Sequence, residues 1–179
     1  MTRPDHERES DRNWQQNREQ ILAAAAELMA AHGYSGTTMQ AIAGRVGCSV
    51  GYLYRHFPGK LALTRQLVDR ELERLERTAA RVHALGLAPL ATYRRNLQEL
   101  CRHLADRRPL VRVFTRESVL RHLPEAEHRV RTMRRQDLDV LRCAQQDGEL
   151  PPFDLELLGA ALQGAVDSLM RELVERDDP

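Results

Sequence analysis

The sequence predicts an all-α protein in two parts, a small N-terminal domain built on a helix-turn-helix and a larger C-terminal helical domain. Three observations lead there. Aromatic residues make up only 4% of the 179 residues, while Ala, Leu, Arg and Glu are abundant, a composition of helix formers. No stretch alternates apolar and polar residues over a strand's length. Apolar residues recur instead at helical spacing between Gly and Pro breaks. The chain is long enough to bury a real core, as one large domain or two small ones.

Residues 1–16 are polar and charged, with little to bury, and are expected to form a flexible arm. A first helix is expected from Asn17 to His32, where Ile21, Ala25, Leu28 and Met29 define one apolar face. Gly33 supplies a stop, and Tyr34-Ser35-Gly36 reads as a loop. A second helix is expected from Thr37, because Thr37-Thr38-Met39-Gln40 fits a capping box. Met39, Ile42, Ala43 and Val46 form its apolar face, and Gly47 breaks it. Ser49 is placed to cap a short third helix from Val50 to about His56, which Pro58-Gly59 ends. These elements bound a domain over 17–59.

The remainder, 60–179, opens with a long fourth helix from about Lys60 to His83. Gly86 and Pro89 mark a break. Further helices are expected near Pro89–Ala105, Pro109–Arg121, Pro124–Gln146 and Phe153–Glu175, each beginning at or near a proline. Asp147 to Pro152 is the clearest linker.

Charge is distributed unevenly although the net value is only +1. From Leu28 to Val68 there is no Asp or Glu, while Arg45, Arg55, Lys60 and Arg65 lie inside. Such a patch is the electrostatic footprint expected for a phosphate backbone. The three cysteines, Cys48, Cys101 and Cys143, are too widely spaced for a disulfide framework or a zinc ladder. The N-terminus is polar, unlike a signal peptide, and no apolar run reaches membrane-spanning length. A soluble, cytoplasmic protein without a cofactor and without a membrane partner is expected.

The run Gly33-Tyr34, Thr37-Thr38, Ile42-Ala43, Val46-Gly47-Cys48-Ser49, Gly51-Tyr52-Leu53-Tyr54-Arg55-His56-Phe57-Pro58-Gly59-Lys60 and Leu63 resembles the N-terminal domain of the TetR family of repressors. The likeness covers about the first third of the chain. It implies a DNA-binding domain whose third helix enters the major groove. By that resemblance Thr38 bonds a phosphate. Ser49, Val50, Gly51 and Tyr52 front the recognition helix, and Tyr54 and His56 contact phosphates. Arg55 reads base or phosphate, and Lys60 meets phosphate at the start of the fourth helix. Val50 stands where Lys, Arg or Pro is frequent, and Tyr52 where a small residue is. Valine has no donor for guanine but packs against a thymine methyl.

The resemblance further implies a ligand-responsive homodimer that binds a near-palindromic operator and is released by a small-molecule effector. Tyr93, Leu97, Cys101, Leu104, Phe114, Glu117 and Met133 are the candidate pocket residues, each of them equally readable as plain core. Leu155, Leu158, Leu162, Val166 and Leu169 follow a helical period in the last helix, amid small residues that let helices approach closely. They are candidates for the dimer interface. Cys101, His103, His122, Glu125 and His128 allow a metal sensor to be imagined, but surface histidines are far commoner. An enzyme is the rival reading, yet no nucleophile elbow, phosphate loop or paired-carboxylate motif is visible. A purely protein-binding helical adaptor leaves the acid-free stretch unexplained.

Overall fold

The computed structural model describes residues 3–108, 110–111 and 122–175, with side chains from 17 to 172 of these. Seven helices are present among the described residues, and no strand: α1 (Arg3–Gly36), α2 (Met39–Val46), α3 (Val50–His56), α4 (Lys60–His83), α5 (Pro89–Asp106), α6 (Pro124–Gln146) and α7 (Leu155–Glu175). The expected helix at Pro109–Arg121 lies almost wholly outside the described residues. The chain divides into two compact units, 1–67 and 68–179, so the first two turns of α4 belong with the N-terminal helices.

In the first unit α1 starts earlier than its apolar face predicts. Its backbone is helical from Arg3, in a stretch read from sequence as an arm. Pro4 fits a first helical turn, and no Gly or Pro follows it until Gly33. Regular helix breaks at Gly33, with φ 74° and ψ 170°. Tyr34–Gly36, expected as a loop, forms a further helical turn beyond that kink.

The start of α2 corrects the capping-box reading. Thr38, not Thr37, is the N-cap, and its Oγ1 accepts from Ala41 N at 3.1 Å. Gln40 therefore falls one position too early to reach back. Thr37 is buried, and its hydroxyl donates to the Gly33 carbonyl at 2.7 Å, satisfying an acceptor that the kink orphans. Gly47 ends α2 in the left-handed region at φ 77°, its N–H donating to Ala43 O at 2.9 Å. Ser49 caps α3 as expected, its Oγ accepting from Tyr52 N at 3.1 Å. The core of this unit is Ile21, Leu22, Ala25, Met29, Met39, Ile42, Ala43, Leu53, Phe57 and Leu63, all buried. Such side chains contribute about 1.5–3 kcal/mol each when fully buried. Two helices as short as α2 and α3 need that packing to persist.

In the second unit α5 packs against α6 and α6 against α7. Ala88 gives α5 no side-chain cap, but Glu149 from the linker accepts from Leu90 N at 2.7 Å. Asp154 caps α7, accepting from Glu156 N at 2.9 Å and Leu157 N at 3.1 Å. Gly159 lets α7 lie close to α6, since a Cβ there would come within 2.7 Å of Leu138 Cδ2. Arg129 on α6 ties to α4 through Glu76, at 2.9 and 2.8 Å, and Asp69, at 3.1 Å. That pairing lowers the Glu76 pKa and raises that of Arg129.

Candidate nucleic-acid interface

The outer side of α3 is held ready by contacts inside the first unit. Leu53 and Phe57 are fully buried and fix the helix from beneath. Tyr52 is half-buried; its hydroxyl accepts from Asn17 Nδ2 at 3.2 Å, and its ring lies edge-on to His56 at 4.8 Å. The Arg55 guanidinium sits 5.5 Å from the Tyr52 ring centroid. A bulky residue where a small one is frequent thus serves as a brace between α1 and α3. Neither the role of Asn17 nor that of Tyr34, described below, carries a signal in sequence.

Ser49, Gly51, Tyr54, Arg55 and His56 are exposed, Tyr54 by 47%, and Val50 is half-buried. Among the described residues, nothing beyond Gly51's chain neighbours and the backbone of α3 lies within 4 Å of where a Cβ on Gly51 would be. Thr38 is exposed at the head of α2, and its hydroxyl proton is not used in accepting from Ala41. The nine residues predicted from sequence therefore come from the heads of α2 and α4 and from the length of α3, whose last turn carries Arg55 and His56.

Two basic residues behave differently from the sequence reading. Arg45 is not an uncompensated charge, because Glu27 of α1 meets it at 2.8 Å from just outside the acid-free stretch. Lys60 is half-buried, with its ammonium donating to the carbonyls of Tyr34 and Thr37, the latter at 2.8 Å, and lying 4.2 Å from the Tyr34 ring centroid. It holds the end of α1 against the start of α4. An ammonium has three donors, and two of them are taken here.

In the second unit a half-open cavity of about 1460 Å³ lies between α4, α5, α6 and α7. Tyr93, Leu97, Leu104 and Met133 line it. Cys101 does not: it is exposed, at the edge of the face of α5 that Leu97, Leu100 and Leu104 turn to the cavity. Phe114 and Glu117 lie outside the described residues. Leu162 and Val166, expected at a dimer interface, also line the cavity. Leu155 and Leu158 are half-buried, and Leu169 is exposed by 38%. The outer face of α7 is instead Leu157, Ala161, Gly164, Ala165, Ser168 and Leu169.

Asp137 is a further cavity residue, and its signal was available. It sits on the apolar stripe of α6 between Met133 and Leu141, at helical spacing. Burial pushes its carboxyl up to about 6, with His83 pulling the other way, and burial together with Asp137 raises the Tyr93 pKa. No group of three or more His, Cys, Asp or Glu suited to a metal ion is found among the described residues. Nor is any helix among them long and apolar enough to cross a membrane.

Comparison with known proteins agrees with this arrangement. Residues 21–67 match the profile of the bacterial regulatory proteins of the tetR family. The HTH-type transcriptional repressor KstR of Mycolicibacterium smegmatis is 35% identical over 74 residues, 41% of this chain but only 36% of KstR, so the match spans about a third of that repressor. The nucleoid occlusion factor SlmA of Vibrio cholerae is 30% identical over 169 residues, covering 89% of this chain and 85% of SlmA. Among solved structures, the ketosteroid regulator KstR2 of Mycobacterium tuberculosis superposes with a TM-score of 0.73 at 23% identity, covering 86% of this chain and 81% of that one. The short α2–α3 pair, its glycine turn and its serine-capped third helix, together with these likenesses, make the chain a member of the TetR family of DNA-binding transcriptional regulators, which are not enzymes.

Proposed function

We propose that the protein is a homodimeric, ligand-responsive repressor that binds a near-palindromic operator in the cytoplasm. The observation that carries this reading is the exposed front of α3, with Ser49, Gly51, Tyr54 and Arg55 outward on a helix anchored by Leu53 and Phe57. Val50 and the Tyr52 edge supply apolar contact with bases, and Thr38, Tyr54 and His56 donate to phosphates. Lys60 acts mainly by positioning the head of α4, with one donor left for phosphate.

Pairing through the small, exposed face of α7 supports a two-fold dimer with recognition helices about 34 Å apart, one DNA turn. The apolar cavity supports a small-molecule effector. The fourth helix runs unbroken from Lys60 to His83, and its later turns line that cavity. An effector that binds one conformation of α4 better than another shifts the population by that difference in affinity.

The test is binding to DNA from just upstream of the protein's own gene at several salt concentrations, beside Tyr54→Ala and Arg55→Ala. Tight two-fold binding with a steep salt dependence is expected; Arg55→Ala flattens the slope by about one unit if Arg55 meets a phosphate, and Tyr54→Ala, which removes a neutral donor, weakens binding without changing the slope. A wild-type protein that selects no sequence from a random pool overturns the reading.

A further inference from the structure

The cavity carries information about the effector's chemistry, given the reading of that cavity as the effector site. Its wall is mainly aliphatic, with Leu72, Leu75, Leu97, Leu104, Met133 and Val166 among the lining residues. Two polar groups on that wall lack a hydrogen-bond partner, the buried Oδ1 of Asn96, which is neutral, and the carboxylate of Asp137. Asp137 lines the cavity yet forms no hydrogen bond and no ion pair with any described residue. The lining guanidiniums are elsewhere engaged or exposed: Arg129 bonds Glu76 and Asp69, Arg107 faces Glu71 at 3.7 Å, and Arg134 is exposed. His83 and Tyr93, the groups that interact electrostatically with Asp137, stand outside hydrogen-bonding and ion-pair distance of it.

A half-buried carboxylate without a partner is costly in an apolar wall. A bound cation removes the cost, and the aliphatic wall takes an apolar body. The other carboxylates nearby are largely answered already, Glu71 by Arg74, Glu76 by Arg129, Glu99 by Arg95 and Arg102, and Asp139 by Arg142, which leaves Asp137 as the half-buried carboxylate without a cation. We propose that the effector is an apolar cation, a protonated or quaternary amine on a hydrocarbon body, whose charge is seated against Asp137 beside the Tyr93 ring. The aromatic face adds to the carboxylate's attraction. Burial that lifts the Asp137 carboxyl to about 6 reflects the same missing partner.

A rival chemistry is present on the same unit. Arg74, Arg77, Arg81 and Arg107 surround a second, smaller cavity of about 470 Å³, which shares Thr78, His103 and Arg107 with the large one. An apolar anion with its phosphate in that cleft is the alternative occupant. These arginines already have partners, however: Arg74 and Arg107 meet Glu71, Arg77 meets Glu73, and Arg81 donates to Thr78.

The experiment uses three probes of one chain length, dodecylammonium, dodecanol and dodecyl phosphate, below their micellar concentrations and near pH 8. Binding to the full-length protein is measured by calorimetry, for wild type, Asp137→Asn and Asp137→Glu. Dodecylammonium is expected to bind wild type about tenfold more tightly than dodecanol, the effect of one charge-assisted hydrogen bond. Asp137→Asn is expected to erase that preference and leave dodecanol affinity unchanged, while Asp137→Glu keeps it. Preference for dodecyl phosphate, or an ammonium preference that survives Asp137→Asn, overturns the cation while leaving the cavity as an effector site. Failure of all three probes to bind overturns both.

Discussion

The Lys60 ammonium lies 4.2 Å from the centroid of the Tyr34 ring and donates to the Tyr34 carbonyl. With the bond to Thr37 O, one side chain thereby satisfies the carbonyls at the α1–α2 junction. Lys60→Met keeps the length of the stem and removes the charge. It is expected to lower stability by about 1–3 kcal/mol, the range for charged hydrogen bonds and a cation–π contact. Urea denaturation reads this without DNA. An unchanged midpoint contradicts the clamp and returns Lys60 to a simple phosphate contact.

Gly51 separates folding from recognition. A Cβ there meets no other described residue beyond its own stretch of α3, and Gly51 lies within a helix with φ outside the left-handed region. Gly51→Ala is expected to stabilise the fold by about 0.5–1 kcal/mol. On the proposed interface, the added methyl pushes against DNA, and operator affinity is expected to fall at least about tenfold, a loss of about 1.4 kcal/mol. Thermal melts and titrations of one preparation measure both. Undiminished DNA affinity shows that the front of α3 does not approach DNA closely.

Much of this domain was legible because its local chemistry is unambiguous. Ser49 had an open N-terminus to cap, and Gly47 had a turn requiring positive φ. The misreadings arose where two residues of one type competed or where the partner was distant in sequence. Thr37 and Thr38 both suit a cap, and only the orphaned Gly33 carbonyl decides which turns inward. Glu27 lies 18 residues from Arg45, and Asn17 lies 35 from Tyr52. In the second unit the period of α7 located an apolar stripe through Leu162 and Val166, but periodicity does not distinguish a face turned to a cavity from one turned to a partner.

Asp137 makes stability depend on pH in an unusual direction. Its folded pKa is raised from the ordinary 3.8 to about 6 by burial, against the pull of His83. The folded protein therefore holds the proton more tightly than the unfolded chain. Asp137's contribution is fully favourable below about pH 4, is lost as pH rises through 6, and is flat above that. Asp137→Asn is expected to stabilise the protein by about 1–3 kcal/mol at neutral pH, discounted for the part of the group that stays solvated. The two proteins are expected to converge near pH 4. Equal stability at neutral pH means that the carboxylate is solvated in the native state.

The exposed face of α7 gives the last prediction. Leu157 is 70% exposed and Leu169 38%, and between them Ala161, Gly164, Ala165 and Ser168 present almost no side chain. Two such faces permit an interaxial distance near the short end of the usual range of about 8–10 Å. At a two-fold crossing each substitution appears twice. Ala161→Arg therefore brings two guanidiniums together where there is room for two methyls, while leaving the subunit's own packing alone because Ala161 is exposed. Sedimentation is expected to give a dimer for wild type and a monomer for Ala161→Arg, with unchanged helicity and greatly weakened operator binding, since half of the site is then read at a time. Leu162→Ala, one residue on but facing the cavity, is expected to remain a dimer while losing stability to the enlarged void. If the two variants exchange these outcomes, the cavity-facing stripe is the interface and the exposed one is only surface.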